Sequence, residues 1–305
     1  MEYRAQAADF DELMQVPVLR FTSIDGLTLD PSRPARYIVN DPDHSLPLDF
    51  LFIPGGGESL MVGFHGAEGR ASVSLPKFQF VTSLRAHGDP VLALSDSTLL
   101  RSERLSIGWF AGDAATPLAD LYGRVVSQVA ELLGVARTVL VGHSAGGFSA
   151  IRVGMRVPNS HTVAVNGQAI AIEHRPYVVQ NLQEDVYPES GSAQAMVEEY
   201  ADRFDLRAAL ATREPTSSFT FFAHREDRLS FSDHPHFPLF SAHFGLGREG
   251  GRTDHGDSFV PCIWASKNPS PHALPGSVMP FLNLAFGRSA LGIAHDVDPR
   301  MPSLV

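Results

Sequence analysis

The sequence predicts an α/β protein built on a doubly wound, mostly parallel sheet flanked by helices. Three observations lead there. Short apolar runs bounded by turn residues recur through the first hundred residues. From Thr116 onward such runs alternate with segments of helical period. Residues 138–141 are continuously apolar, as a strand covered on both faces must be.

Strands are expected at residues 16–22, 36–39, 48–53, 60–64 and 91–94. Gly55, Gly56 and Gly57 stand between two of them. A phosphate-binding loop would continue into Gly-Lys-Ser/Thr or a helix, whereas Glu58 and another strand follow, so a hairpin turn is expected. Pro117 opens the first long helix, on which Leu118, Leu121, Tyr122, Val125, Val129, Leu132 and Leu133 recur at three- and four-residue steps until Gly134 ends it. Strand 138–141, helix 146–156, stopped ahead of Pro158, and strand 161–165 follow. This alternation is that of a parallel sheet with helices on its faces. Residues 167–191 read as an irregular segment that forms a cap, 193–210 as a helix and 219–223 as a buried strand. The last third is rich in loops, with Pro235, Pro238, Pro261, Pro269, Pro271 and Pro275, and closes on a helix at 278–286. No internal repeat or linker interrupts the chain, so residues 1–305 read as a single domain with a cap insertion at 167–191.

Composition excludes several classes of function. With 44% hydrophobic and 19% charged residues, the chain has the apolar material for a substantial core. Its net charge of −10, without a long Lys/Arg cluster, gives no footprint for nucleic acid or an anionic membrane surface. A single cysteine, Cys262, excludes an intramolecular disulfide framework and an all-cysteine zinc site. The acidic N-terminal stretch does not read as a signal peptide, and no run approaches the ~18 apolar residues of a membrane span. The chain is therefore expected to be soluble and cytoplasmic; its oligomeric state is not written in the sequence.

The chemistry centres on Gly142-His143-Ser144-Ala145-Gly146, a Gly-x-Ser-x-Gly pattern between an apolar strand and a helix. A sharp strand-to-helix turn forces its serine into a strained conformation, and small residues two before and two after relieve the crowding. The same turn sets Ser144 at a helix N-terminus, where N–H groups and the dipole favour developing negative charge. A serine hydroxyl is a poor nucleophile at neutral pH, so it requires a histidine base and a carboxylate that fixes the tautomer of the imidazole.

With these residues in place, the chain resembles the α/β-hydrolase superfamily over residues 60–286, with a weaker similarity to its bacterial glycan-modifying members. The resemblance implies the order nucleophile, acid, histidine, with the acid after a late strand. Phe219-Thr220-Phe221-Phe222-Ala223 running into His224-Arg225-Glu226-Asp227 is similar to that segment and makes Asp227 the expected acid, with Glu226 and Asp233 as neighbours able to substitute. Thr253-Asp254-His255-Gly256 offers a histidine beside a glycine in a loop, so His255 is the expected base; among the chain's 13 histidines, His272 in a proline-rich loop is its strongest competitor. His65-Gly66-Ala67 looks like the family's His-Gly loop, which implies oxyanion donors at Ala67 and, directly after the nucleophile, Ala145, with His65 shaping the loop. His234, His236, Asp254 and His255 lack a recognised metal-ligand spacing, and neither metal nor cofactor is implied.

Ser95-Asp96-Ser97 reads as a helix cap, and residues 107–112, Trp264 and the phenylalanines between 231 and 244 read as core. The expected activity is that of a serine esterase working through an acyl-enzyme on a small-molecule or glycan acyl ester. Two other readings stand beside it: an acyltransferase using the same triad on a sugar or alcohol acceptor, and a non-catalytic binding protein of the same fold.

Overall fold

A computed structural model of the chain describes residues 9–67, 69, 74–265, 268, 270–274 and 276–286. The strands are β1 (Asp9–Asp11), β2 (Val16–Phe21), β3 (Ala35–Val39), β4 (Leu48–Ile53), β5 (Ser59–Phe64), β6 (Val91–Ser95), the small hairpin β7 (Gly112–Asp113) and β8 (Thr116–Pro117), β9 (Arg137–His143), β10 (Ser160–Val165), β11 (Ser218–His224), β12 (Gly251–Arg252) and β13 (Ser258–Cys262). The helices are α1 (Val81–Arg85), α2 (Leu118–Leu133), α3 (Ala145–Gly154), α4 (Pro176–Val186), α5 (Ala193–Glu199), α6 (Ala201–Phe204), α7 (Leu206–Ala209), α8 (Arg228–Phe231), α9 (His236–His243) and α10 (Met279–Ala285).

Eleven strands form one sheet in the order β1-β2-β3-β4-β6-β5-β9-β10-β11-β13-β12. The six from β6 to β13 run parallel, and the antiparallel pairings lie toward the two ends. Alternation along β5 explains the layers. Leu60, Val62 and Phe64 pack with α2 and α3 on one face, while Met61 packs with Leu84 of α1 and Phe281 and Leu282 of α10 on the other. Helix α2 buries Leu118, Leu121, Tyr122, Val125 and Val129 of the stripe that marks it in sequence, leaves Leu132 in its last turn exposed, and ends at Gly134, whose φ of 64° is the left-handed conformation of a glycine cap. Trp109, Phe110, Trp264, Phe237 and Phe240 are all core. Among the described residues, no helix is long and apolar enough to cross a membrane.

Three expectations are corrected. Residues 55–57 do not close a hairpin, because β4 and β5 do not pair with each other: β6 lies between them and bonds to both. The helix expected at 193–210 is broken into α5, α6 and α7. The break at Asp205 has a cause: its backbone bridges Ile170, its side chain caps α7 by accepting from Arg207 N, and Leu206 N donates to Ala169 O at 2.9 Å. The segment 167–191, read as irregular, contains the 11-residue helix α4, with Pro176 in its first turn and Val178, Val179, Leu182 and Val186 buried.

The connections from β5 to β6 and from β9 onward leave in opposite directions along the sheet. Beyond the C-terminal ends of β5 and β9, a crevice therefore opens, the usual ligand position in such sheets.

Candidate active site

Ser144 occupies the turn between β9 and α3 with φ 55° and ψ −124°, a strained conformation for a residue with a Cβ. Its neighbours make the turn possible. A Cβ at Gly142 would fall on the Gly146 carbonyl, and one at Gly146 would come within 2.7 Å of Phe64 O and 2.8 Å of His65 O. Hydrogen bonds fix the turn: Ser144 N donates to Val165 O at 3.1 Å, and Ser144 O accepts from Gly147 N at 3.0 Å and Gln168 N at 3.2 Å. The serine is 8% exposed.

Asp227 follows β11 and caps α8, its Oδ1 accepting from Leu229 N at 3.1 Å. Its Oδ2 accepts from Ser230 Oγ at 2.6 Å and from His272 Nδ1 at 2.8 Å. Burial alone would raise the carboxyl, yet the hydrogen bond and charge of His272, with the Ser230 and Leu229 donors, hold it below the usual carboxylate range. Donation from Nδ1 leaves Nε2 of His272 as the proton acceptor. The backbone of His272 is held as well: its carbonyl accepts from Asn166 Nδ2 at 3.0 Å and from His143 Nε2 at 2.7 Å, and its ring centroid lies 4.9 Å from that of His143. Burial, with the nearby His272 charge, pushes His143 down to about 4, so the residue beside the serine stays neutral. Asn166 ties the crest together, donating from its backbone N to Phe222 O and accepting at Oδ1 from His224 N. Sequence reasoning missed it; an asparagine directly after a parallel strand was the available signal.

The expected base, His255, is not at this crest. It lies in the exposed turn between β12 and β13, its Nε2 bonded to Ser217 O at 3.0 Å. Ser217 precedes β11, whereas Ser144 follows the parallel β9, so a strand length of roughly 20 Å separates the two ends. Of the alternative acids, Glu226 is exposed and Asp233 pairs with Arg228 at 2.8 Å. Asp254, in the His255 turn, is equally remote from His234 and His236, and no group of three such side chains among the described residues is placed to hold a metal ion.

The loop after β5 lies against the serine turn, since a Cβ on Gly66 would stand 3.0 Å from His143 O and 3.8 Å from Ser144 Cβ. Gly66 N donates to Gln79 Oε1 at 3.0 Å, and Ala67 follows, exposed. Ala145 opens α3, so its N–H has no acceptor within the helix. His65 is buried and structural: its Nε2 accepts from Asp96 N at 3.0 Å, and Asp96 in turn caps the 3-10 turn Ser97–Arg101 and accepts from Phe110 N.

No family model matches this sequence, and none of the curated proteins does. Among solved structures, MPT51 of Mycobacterium tuberculosis superposes with a TM-score of 0.50 at 14% identity, covering 82% of this chain and 95% of that one. The capsule O-acetyltransferase of Neisseria meningitidis serogroup A gives 0.46 at 15% identity, with 66% and 81% covered. An S-formylglutathione hydrolase from Agrobacterium tumefaciens gives 0.45 at 15%, with 76% and 87% covered. The likeness is one of architecture, and the chain has the α/β-hydrolase fold.

Proposed function

We propose that the protein is a serine hydrolase that cleaves carboxylic esters through an acyl-enzyme, with Ser144 as nucleophile, His272 as base and Asp227 as the orienting acid. The observation that supports this most is the His272 Nδ1 to Asp227 Oδ2 hydrogen bond of 2.8 Å, at the same sheet crest as the strained Ser144 turn. Ser144 Oγ attacks the ester carbonyl as its proton passes to His272 Nε2. Asp227 stabilises the imidazolium that results. The oxyanion is received by the N–H groups of Ala145 and Ala67, worth on the order of 3 kcal/mol each. Collapse breaks the ester C–O bond and returns the proton to the departing alcohol; water then repeats the sequence against the acyl-enzyme and frees the acid.

The test is covalent labelling. A fluorophosphonate probe is expected to modify the wild-type protein stoichiometrically at Ser144, and Ser144→Ala is expected to take none. A folded wild-type protein that stays unlabelled overturns the reading.

A further inference from the structure

Nine residues beyond Asp227, the start of α9 carries an imidazole that the proposed chemistry does not use. His236 is 2% exposed, and neither ring nitrogen has a partner among the described residues. Buried polar atoms are seldom left unmatched unless something outside the chain completes them. Two more imidazoles adjoin it: ring centroids are 6.3 Å apart for His174 and His236, 6.3 Å for His234 and His236, and 5.3 Å for His174 and His234.

A relay fixes the proton on one of them. Trp109 Nε1 donates to Gln168 Oε1 at 2.5 Å, which turns Gln168 Nε2 toward His174 Nδ1 at 3.3 Å. His174 Nδ1 therefore accepts, and Nε2 carries the hydrogen. The cluster belongs to the crest of the site. Gln168 N donates to Ser144 O, while His234 and His236 share with Asp227 the segment that leaves β11. Burial, followed by neighbouring imidazole charge, holds His174 down to about 4 and His236 down to about 3, so both are neutral at pH 7.

A neutral imidazole offers one donor and one acceptor. A carboxylate would match only the donors, an ammonium only the acceptors, and an alkyl chain neither. A hydroxyl matches both. The same cluster adjoins the Asp227 side of the site, through the segment that His234 and His236 share with Asp227 and through Gln168, which joins His174 to the Ser144 carbonyl. The departing alcohol must take its proton from His272, so the alcohol portion of an ester is the part that meets these rings.

We propose that His174, His234 and His236 form a subsite for free hydroxyls on the alcohol portion of the substrate, which makes the ester one of a polyol or sugar-like alcohol. This rests on the Ser144 hydrolase reading. Two matched pairs of acetates test it, 1-monoacetin against propyl acetate and 6-O-acetylglucose against cyclohexylmethyl acetate. The wild type is expected to favour the hydroxylated member by about tenfold or more in kcat/KM. That ratio is expected to fall toward one in His236→Phe and partway in His234→Ala, whose partly exposed side chain is a small risk to folding. Equal turnover of both members by the wild type, or a ratio preserved in both variants, overturns the subsite. Should no acetate be turned over and no fluorophosphonate bind, the hydrolase reading has failed instead. The subsite is then read directly from imidazole 1H–15N shifts of Ser144→Ala on adding 1-monoacetin. Shifts confined to these rings and absent with propyl acetate support it; their absence overturns it.

Discussion

His272 is held by two different atoms, its ring on Asp227 and its carbonyl on Asn166 and His143. His272→Ala is expected to lower kcat/KM on p-nitrophenyl acetate by about 10³-fold or more, and Asp227→Asn by a comparable factor through loss of the correct tautomer. His255→Ala, made at the far edge of the sheet, is expected to stay within about twofold of wild type in the same assay. A large loss there with His272→Ala active would reverse the assignment. The choice between these histidines was not legible locally, because both lie in late loops near glycine or proline. What separates them is a strand that the sequence conceals: Pro261 interrupts the apolar run of β13, so its membership in the parallel set is not apparent. Once β13 is placed beside β11, the loop leaving its C-terminal end, and not the turn entering it, reaches the crest.

At the scale of elements, the turn from β9 into α3 was legible because its causes are local. The apolar strand, the glycines and the helix follow one another between Arg137 and Gly154. The steric requirement is testable. Gly142→Ala is expected to destabilise the fold by several kcal/mol, since its Cβ meets a helix carbonyl rather than a movable side chain, whereas Gly56→Ala, with nothing within 4 Å, is expected to be neutral within about 0.5 kcal/mol. Urea unfolding of the two variants checks both. Helix breaks were less legible. Residues 193–210 have adequate helical propensity throughout, yet the backbone leaves the helical region at Tyr200, and the distant Ile170 and Ala169 draw Asp205 and Leu206 out of register again. The α4 signal was present but was overridden by the polar residues around it.

Across the whole molecule, sheet order was the least legible feature, because β4, β5 and β6 are adjacent in sequence yet ordered β4-β6-β5 in space. The fold also buries neutral imidazoles along its middle portion, from His143 to His236. Burial is the leading cause that holds His143, His161 and His174 down to about 4 and His236 to about 3. In the unfolded chain these rings protonate near 6.5, so below that pH the unfolded state binds more protons. Their contribution is complete above about pH 6.5 and is lost as pH falls toward 4. Asp227, held below its ordinary value, acts in the same direction at still lower pH. Asp49 and Asp96, raised by burial, act in the opposite direction. Urea unfolding is expected to show a fold weaker at pH 5 than at pH 7.5, because the four rings outnumber the two carboxyls; a fold stronger at pH 5 would contradict the buried, neutral state of these rings. Finally, Ser144, Asp227 and His272 all stand at one rim of the sheet, while the Asp254 and His255 turn projects from the other, with open space around Gly256. An affinity peptide grafted into that turn would anchor the molecule to a solid support with the Ser144 rim facing the bulk solution.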